Sequence, residues 1–368
     1  MIKKFAFAVV CVLLIGVFYL NTPKHAVNDT KPQILAMIPL TGRVGGMGNH
    51  VKKGIELYLK EHPNFPYAVD FHDTQSDVQK AISIYQQNVL RHKPDIIISS
   101  QTPATKAILP WAQKDGIFVF VAICNVPNVI EGYTNAQRFT DVSVNTVEPV
   151  AEYVNKHYSN VAVLYGENEM SASFLSFFEK LLDKKVKLAK FIYSDANQGI
   201  RETVYKALTT QPEIIYVIGS GFSYINVIKN IRAQNPDMKI IADSCFADPN
   251  VRSALGSFGY GIPFTGTEVS LDRSNNPKSA AFIDKYEKAY QEKPFVTAAY
   301  AYDMMTVIGD LARQNKPIDQ RAFENLQQLD GVSGIIKFPG NGESSVKMIL
   351  LQQNDKGEIE KVEWEDIK

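Results

Sequence analysis

The most constraining feature of the sequence is a repeated alternation of short apolar runs with segments of helical spacing. A first series has apolar runs at 34–38, 67–73, 95–99 and 117–122, with helices predicted near 47–60, 77–91 and 103–115. A second series has runs at 161–165, 186–194, 213–219 and 239–243, with helices predicted near 171–184, 198–210 and 222–235. Nearly continuous apolar runs are typical of parallel strands covered by helices on both faces. The two series therefore predict an α/β fold with two lobes built on parallel sheets.

The last third of the chain does not add a third series. Helices predicted at 278–291, 296–314 and near 318–329 precede two strand-like runs, VKMILLQQ and EIEKVEWE, around a turn at 354–357. Because this tail cannot bury a core alone, we expect it to pack onto the earlier lobes, so that the chain crosses between them more than once. Such crossings make a hinge beside a cleft, where ligands bind at the carboxyl ends of the strands.

These patterns predict a division of the chain into a leader and two lobes. The expected first lobe spans 31–146 with 270–337 returning to it, and the second spans 147–269 with 338–368 returning to it. Residues 1–30 have the anatomy of an export signal, because Lys3 and Lys4 precede an uncharged run from Phe5 to Leu20. A cleaved signal peptide and an uncleaved membrane anchor both fit this segment. Either one predicts a periplasmic or extracytoplasmic protein.

Charge and cysteine content exclude several classes of protein. Lys+Arg and Asp+Glu are equal at 39 each, so nothing in the net charge favours nucleic acid as a partner. Beyond the leader, the chain has two cysteines, Cys124 and Cys245, which is too few for a disulfide-rich scaffold. A bridge between them and two separate buried thiols both remain open.

The stretch ILAMIPLTGRVGGMGNHVKKGIELYL (34–59) combines a strand, a glycine-rich loop and a helix start. It lacks the Gly-Lys-Ser/Thr of a phosphate-binding Walker loop, and Val51 stands where the dinucleotide pattern needs its third glycine. A nucleotide site is therefore not predicted. The glycines either allow close packing at a turn, or they expose backbone amides that, with Thr41, face a small polar ligand.

No catalytic or metal-binding constellation is present in the sequence. The Gly-x-Ser-x-Gly elbow of hydrolases is absent, and GSGFS (219–223) has its serines displaced. The histidines occur singly, without metal-ligand spacing, at positions 25, 50, 62, 72, 92 and 157. We therefore expect neither an enzyme nor a metal or other cofactor.

Polar residues follow two neighbouring strands of the first series. SSQTPATKAI (99–108) and ICNVPNVIEG (123–132) place hydroxyls and amides at strand ends, next to predicted helix starts. Such groups can hold a carboxylate without a metal. Helix capping by Ser99, Ser100 or Thr102 is the alternative use of the same side chains.

At this point the chain resembles a known family. The opening IPLTG…GMG…KKGIEL, then FHDTQSDVQKAI (71–82), RFTDVSVNTVEPVAEYV (138–154), TAAYAYDMM (297–305) and GVSGIIKFPGNGE (331–343) are similar in order to the leucine/isoleucine/valine-binding proteins. The resemblance covers about residues 33–365 and implies the type I periplasmic-binding fold, with two Rossmann-like lobes joined by a multi-strand hinge. It also implies a solute receptor, expected to be a monomer, that delivers a small molecule to an ABC transporter permease.

The resemblance also implies the positions of ligand contacts. In the first lobe the solute would meet Ser99, Ser100 and Gln101, together with Ile123 and Asn125. In the second lobe the matching positions are Met170, where the family often has tyrosine, Ser220 with Phe222 close by, and Ser244, where the family often has an acid. Asp243 lies one place earlier, either facing the cleft or capping the following turn. These departures leave the solute open among amino acids, amides and related compounds.

Two alternatives to a transport receptor follow from the sequence. An uncleaved Phe5–Leu20 segment would suit a membrane-tethered sensing module that reports its ligand to an inner-membrane partner. An enzyme is the third candidate, against which the absent motifs count.

Overall fold

The structure is a computed structural model that describes residues 31–270 and 276–362. The predicted signal or anchor in residues 1–30 lies outside the described residues. Among the described residues, no helix is both long and apolar enough to cross a membrane.

A first parallel sheet forms the core of one lobe. Its strands, in the spatial order β2-β1-β3-β4-β5, are β1 (Gln33–Ile38), β2 (Ala68–Asp73), β3 (Ile96–Ser100), β4 (Phe118–Ile123) and β5 (Ala136–Arg138). Strands β1, β3 and β4 are buried almost throughout, as their continuous apolar sequences require. The crossover helices are α1 (Gly45–Glu61), α2 (Val78–Arg91) and α3 (Thr102–Asp115).

A second, larger sheet forms the core of the other lobe. It has the order β15-β14-β10-β9-β8-β6-β7, with β6 (Asn160–Gly166), β7 (Lys187–Tyr193), β8 (Ile214–Ile218), β9 (Ile240–Ala242), β10 (Pro263–Gly266), β14 (Ile349–Gln353) and β15 (Ile359–Lys361). Strands β6 to β10 are parallel, whereas β14 and β15 are antiparallel additions at one side. Its helices are α4 (Ser143–His157), α5 (Glu169–Leu181), α6 (Ile200–Thr209), α7 (Gly221–Gln234) and α8 (Pro249–Leu255).

The C-terminal third packs on these lobes, as expected. Its helices are α9 (Pro277–Tyr290), α10 (Val296–Arg313) and α11 (Gln320–Leu326), followed by a small sheet of β11 (Gln328–Gly331), β12 (Gly334–Lys337) and β13 (Ser345–Val346). Helix α10 lies along α1, where Gly54 lacks a side chain. A Cβ at Gly54 would lie 2.1 Å from the carbonyl oxygen of Ala298, so the two backbones approach as only glycine allows.

The α/β class with parallel sheets is confirmed, and the structure differs locally from the predictions in three places. No element was predicted between residues 123 and 160, where β5 and the 15-residue α4 lie. The helix predicted near 318–329 ends at Leu326, because Gln327 takes a positive φ of 57° and its carbonyl accepts a hydrogen bond from Phe338 N. The run VKMILLQQ divides between β13 and β14. The predicted lobe boundaries stay a prediction.

Candidate functional site

A cavity of about 150 Å³ lies where the carboxyl ends of the two parallel sheets face each other. One wall comes from segments after β1, β3, β4 and β5, and the other from segments after β6, β8 and β9. The N-terminal end of α10 closes one side with Phe295, Val296, Thr297 and Tyr300. Since one water needs roughly 15 Å³ on this measure, the cavity suits a solute of about ten non-hydrogen atoms.

Four helices begin at this cavity without a side-chain cap. Val44, Gln101, Ser220 and Phe295 precede α1, α3, α7 and α10, line the cavity, and accept no cap hydrogen bond from the helix that follows. Uncapped first-turn amides carry partial positive charge and favour an anion. Side-chain caps occur both at the cavity and away from it: Asn168 lines the cavity and caps α5, whereas Asp77, Asp248, Asn276 and Asp319 cap helices whose N-caps do not line it. The uncapped helix starts on both sides of the cavity therefore favour a carboxylate or similar group.

Asp141, just beyond β5, places an acidic group on the cavity wall. The residue is only 4 % exposed, and neutral donors surround its carboxyl group. Its Oδ2 accepts from Asn125 Nδ2 at 3.1 Å and from the hydroxyl of Thr146. Its Oδ1 has longer contacts, 3.3 Å from the hydroxyl of Tyr300 and 3.4 Å from that of Thr140. Burial, and then the charge of Asp141, raise the pKa of Tyr300 well above its ordinary value, so Tyr300 remains a neutral donor.

Two pairs of side chains join the walls across the cavity. Arg43, before α1, donates from Nη1 to Ser220 Oγ at 3.2 Å. Lys106 on α3 forms an ion pair with Glu169 at the start of α5, with both side chains about half exposed. Arg43, Ser220 and Glu169 also line the cavity. The two lobes therefore contact each other directly around the space that a solute would fill.

Behind the first wall, Arg138 fixes the loop after β4. Its guanidinium is fully buried, donates to the carbonyls of Cys124 and Val126, and pairs with Glu343, with Nε 2.6 Å from Oε2. The hydroxyl of Thr102 lies 3.2 Å from Cys124 Sγ. This backbone is thus held from behind, so its cavity-facing groups are positioned before any solute arrives.

Six of the residues predicted as ligand contacts line the cavity. They are Gln101, Ile123, Asn125, Met170, Ser220 and Ser244. Gln101 has a positive φ of 70°, and its N–H donates to Ile123 O at 2.8 Å, which ties the ends of β3 and β4 together. The polar segments after the strands of both lobes therefore meet at one place.

The other predicted residues are not part of the lining. Ser99 is buried, with Oγ 2.8 Å from Thr105 Oγ1, whereas the buried hydroxyl of Ser100 has no partner among the described residues. Phe222 is 70 % exposed. Asp243 is buried and turned away, accepting from Gly219 N at 2.8 Å and Cys245 N at 3.0 Å, so it caps the following turn. Burial raises the pKa of Asp243 to about 7.

Thr41 instead stabilises the glycine loop. Its hydroxyl donates to Asp73 Oδ2 at 2.6 Å, while Asp73 Oδ1 accepts from the N–H groups of Leu40 and Gln75 at 2.8 Å. Partial burial alone would raise the pKa of Asp73, but these hydrogen bonds outweigh it, so the pKa is lowered. A Cβ at Gly48 would lie 1.8 Å from Pro39 O, so this glycine serves close packing. The cavity residues of this segment are Arg43, Val44 and Met47.

Sequence reasoning missed Arg43, Asp141, Glu169 and Tyr300 as cavity residues. Each lies within or beside a quoted motif or a predicted element, but only Asp141 had a usable signal, as an acid next to a strand end. That strand, β5, is three residues long and was not recognised. In the described part of the chain, Cys124 and Cys245 are buried free thiols, and no group of histidine, cysteine and acidic residues could hold a metal ion.

Comparisons with known proteins agree with this architecture. A leucine-binding protein from Thermotoga maritima superposes with a TM-score of 0.80 at 20% identity, over 90% of this chain and 98% of that one. A branched-chain amino acid transporter substrate-binding protein from Streptococcus pneumoniae, in complex with isoleucine, gives 0.78 at 18% identity, with coverages of 90% and 98%. A solute-binding protein of an ABC transporter from Rhodopseudomonas palustris, in complex with 3,4-dihydroxybenzoic acid, gives 0.79 at 16% identity, with coverages of 90% and 96%.

At these identities the superpositions establish the fold, which is that of type I periplasmic binding proteins. Among curated proteins, no sequence matches this chain significantly. The model of the periplasmic binding protein family matches residues 32–358, nearly the whole of the two lobes. The resemblance seen in the sequence is thus confirmed, and the chain belongs to the periplasmic binding protein family.

Proposed function

We propose that this protein is the extracytoplasmic receptor of an ABC importer and captures a small carboxylate-bearing solute between its lobes. The observation that carries the proposal is the cavity itself, whose walls come from the carboxyl ends of both sheets. Such a position lets one small molecule contact both lobes at once. Membership of the periplasmic binding protein family supports a location outside the cytoplasm.

The chemistry of the walls supports a carboxylate on the solute. The uncapped starts of α1, α3, α7 and α10 direct partial positive charge at the cavity, and Arg43 adds a cation at the rim. Relatives of this fold were solved with isoleucine, 3,4-dihydroxybenzoic acid and benzoate, all of which carry a carboxyl group. Amino acids and small organic acids are therefore the first candidates.

The function needs no chemical step, only a shift between two arrangements of the lobes. A solute that touches both walls stabilises the closed arrangement by its difference in affinity for the two states. The Arg43–Ser220 and Lys106–Glu169 contacts between the lobes stabilise the same closed arrangement. The closed form would then dock on the permease and release the solute to it.

A thermal-shift screen followed by calorimetry tests the proposal. The mature chain is mixed with amino acids, amides, short peptides, benzoate and other organic acids, and each hit is repeated as its methyl ester or amide. Specific binding raises the melting temperature with ligand concentration at one solute per chain. We expect a carboxylate to bind and its ester to bind at least tenfold more weakly, as for loss of a charge-assisted hydrogen bond. Equal affinity of acid and ester would contradict the carboxylate site, and turnover of a hit would contradict a binding role.

A further inference from the structure

We infer that Asp141 receives a protonated nitrogen of the solute, so that it selects compounds with an ammonium group over acids that lack one. The inference rests on the proposed function, because it concerns the same cavity. Its starting point is the position of Asp141, an acidic side chain that lines the cavity and is 4 % exposed.

In the part of the chain that the structure describes, Asp141 has neutral hydrogen-bond donors but no cationic partner. Across the described residues, no lysine, arginine or histidine nitrogen lies within ion-pair distance of its carboxyl oxygens. Arg43 lines the same cavity, but its guanidinium donates to Ser220. The start of α4 at Val142 and the neutral donors offset part of the cost of burying this carboxylate, but no counter-ion from the described side chains does so. A cationic group brought by the solute would supply that counter-charge.

The hydrogen bonds show which oxygen is available. Oδ2 is occupied by Asn125 and Thr146. Oδ1 has only hydroxyl contacts at 3.3 and 3.4 Å, from Tyr300 and Thr140. Hydroxyls that donate well to a carboxylate lie at about 2.5–2.7 Å, so Oδ1 lacks a strong donor. An ammonium group has three donors and could bond to Oδ1 in this position.

Groups suited to both charges of a zwitterion then line the cavity. Helix N-termini and Arg43 favour a carboxylate, whereas Asp141 favours a cationic nitrogen, so a small zwitterion satisfies both. Asp243, the acid next to the position suggested by family resemblance, is unavailable because it caps Gly219 N and Cys245 N. The acid that faces the solute therefore comes from the first lobe, beyond β5, and not from the second.

Matched solutes test the inference on the unchanged protein. Leucine is compared by calorimetry with 4-methylpentanoic acid, which lacks the nitrogen, and with 2-hydroxy-4-methylpentanoic acid, which replaces it by a hydroxyl. The same comparison uses alanine and propionic acid, and glutamine and its deaminated acid. We expect the best amino acid to bind roughly 10- to 100-fold more tightly than its deaminated acid, as for a hydrogen bond between charged groups.

Substitutions then assign the preference to Asp141. Asp141→Asn keeps the shape and should reduce the preference to threefold or less. The control Asp303→Asn changes an equally buried acid that lies outside the cavity lining. This control should retain the preference.

The outcomes separate this inference from the proposed function. Tight binding of acids without nitrogen, with no gain for their amino counterparts, overturns the inference and leaves the receptor function standing. Equal weakening of both solutes by Asp141→Asn also overturns it, because a purely structural role has that effect. If no compound of any class binds, the proposed function itself fails. Because the first comparison uses the unchanged chain, the inference remains testable even if Asp141→Asn does not fold.

Discussion

Arg43 and Ser220, 177 positions apart in the chain, meet across the cavity through a hydrogen bond of 3.2 Å. Arg43 precedes α1 in the first lobe, and Ser220 precedes α7 in the second. The contact therefore exists only while the lobes are close together. It gives a direct measure of how much protein–protein contact contributes to closure.

We expect Arg43→Ala and Ser220→Ala each to weaken solute binding by about 2- to 10-fold, the value of one net hydrogen bond. Because the two groups act as a pair, the double variant should be no weaker than the weaker single variant. Calorimetric titration of the four proteins with the best screened solute makes the measurement. Fully additive losses would show that the two residues act independently, for instance through separate solute contacts.

Asn125 and Ser100 should behave differently, although the family resemblance assigned both to the site. Asn125 lines the cavity and donates to Asp141 Oδ2, so Asn125→Ala should weaken binding about tenfold or more. The hydroxyl of Ser100 is buried behind the wall without a partner, so Ser100→Ala should leave affinity unchanged and stability unchanged or slightly higher. Titration and thermal melting of both variants check this, and a loss of affinity in Ser100→Ala would place that hydroxyl in the site.

The contrast between these residues shows which features of the site can be predicted from the sequence. Continuous apolar runs such as 95–99 identify strands, because a strand buried on both faces needs apolar residues at nearly every position. The ends of these strands then locate the cavity. Side-chain direction is not encoded in this way. Asp243 and Asp141 both follow strands, yet the first turns back to cap Gly219 N and the second lines the cavity. The direction of each side chain depends on the backbone amides and neighbouring residues that tertiary packing brings close to it. The sequence pattern does not show which these are.

The ion pair between Arg138 and Glu343 should contribute more to stability than an exposed ion pair does. Glu343→Gln leaves the fully buried guanidinium without its counter-charge, so we expect a loss of about 2–3 kcal/mol, given that Glu343 is partly exposed. The control Asp330→Asn breaks the exposed pair with Lys278, which should cost less than about 1 kcal/mol. Urea denaturation measures both. Similar losses in the two variants would contradict the buried position of Arg138.

Asp303 should give stability a specific dependence on pH. It is buried and accepts from Val332 N, Ser333 N and the hydroxyl of Ser333. Burial outweighs these hydrogen bonds and raises its pKa to about 6. The unfolded value is about 3.9, so the folded chain holds this proton longer than the unfolded chain. The associated stability is present below about pH 4 and is lost as pH rises to about 6.

The comparison that isolates this effect uses Asp303→Asn, which has no such proton. From pH 4 to pH 7, the unfolding free energy of the parent chain should fall by roughly 2–3 kcal/mol relative to the variant. Asp310→Asn changes an exposed aspartate of the same helix and should follow the parent. Parallel pH profiles for the parent chain and Asp303→Asn would refute the prediction.

Two glycines of α1 should respond in opposite directions to the same substitution. Gly54→Ala places a Cβ 2.1 Å from Ala298 O, a backbone atom that cannot move unless α10 shifts, so we expect a loss of about 1–3 kcal/mol or more. Gly46→Ala meets nothing within 4 Å and should stabilise the helix by up to about 1 kcal/mol. Because α10 also supplies Val296 and Tyr300 to the cavity, Gly54→Ala should weaken solute binding as well, and Gly46→Ala should not. Urea denaturation and solute titration of the two variants test this prediction. If Gly54→Ala is as stable as Gly46→Ala, then α1 and α10 do not pack with their backbones in contact.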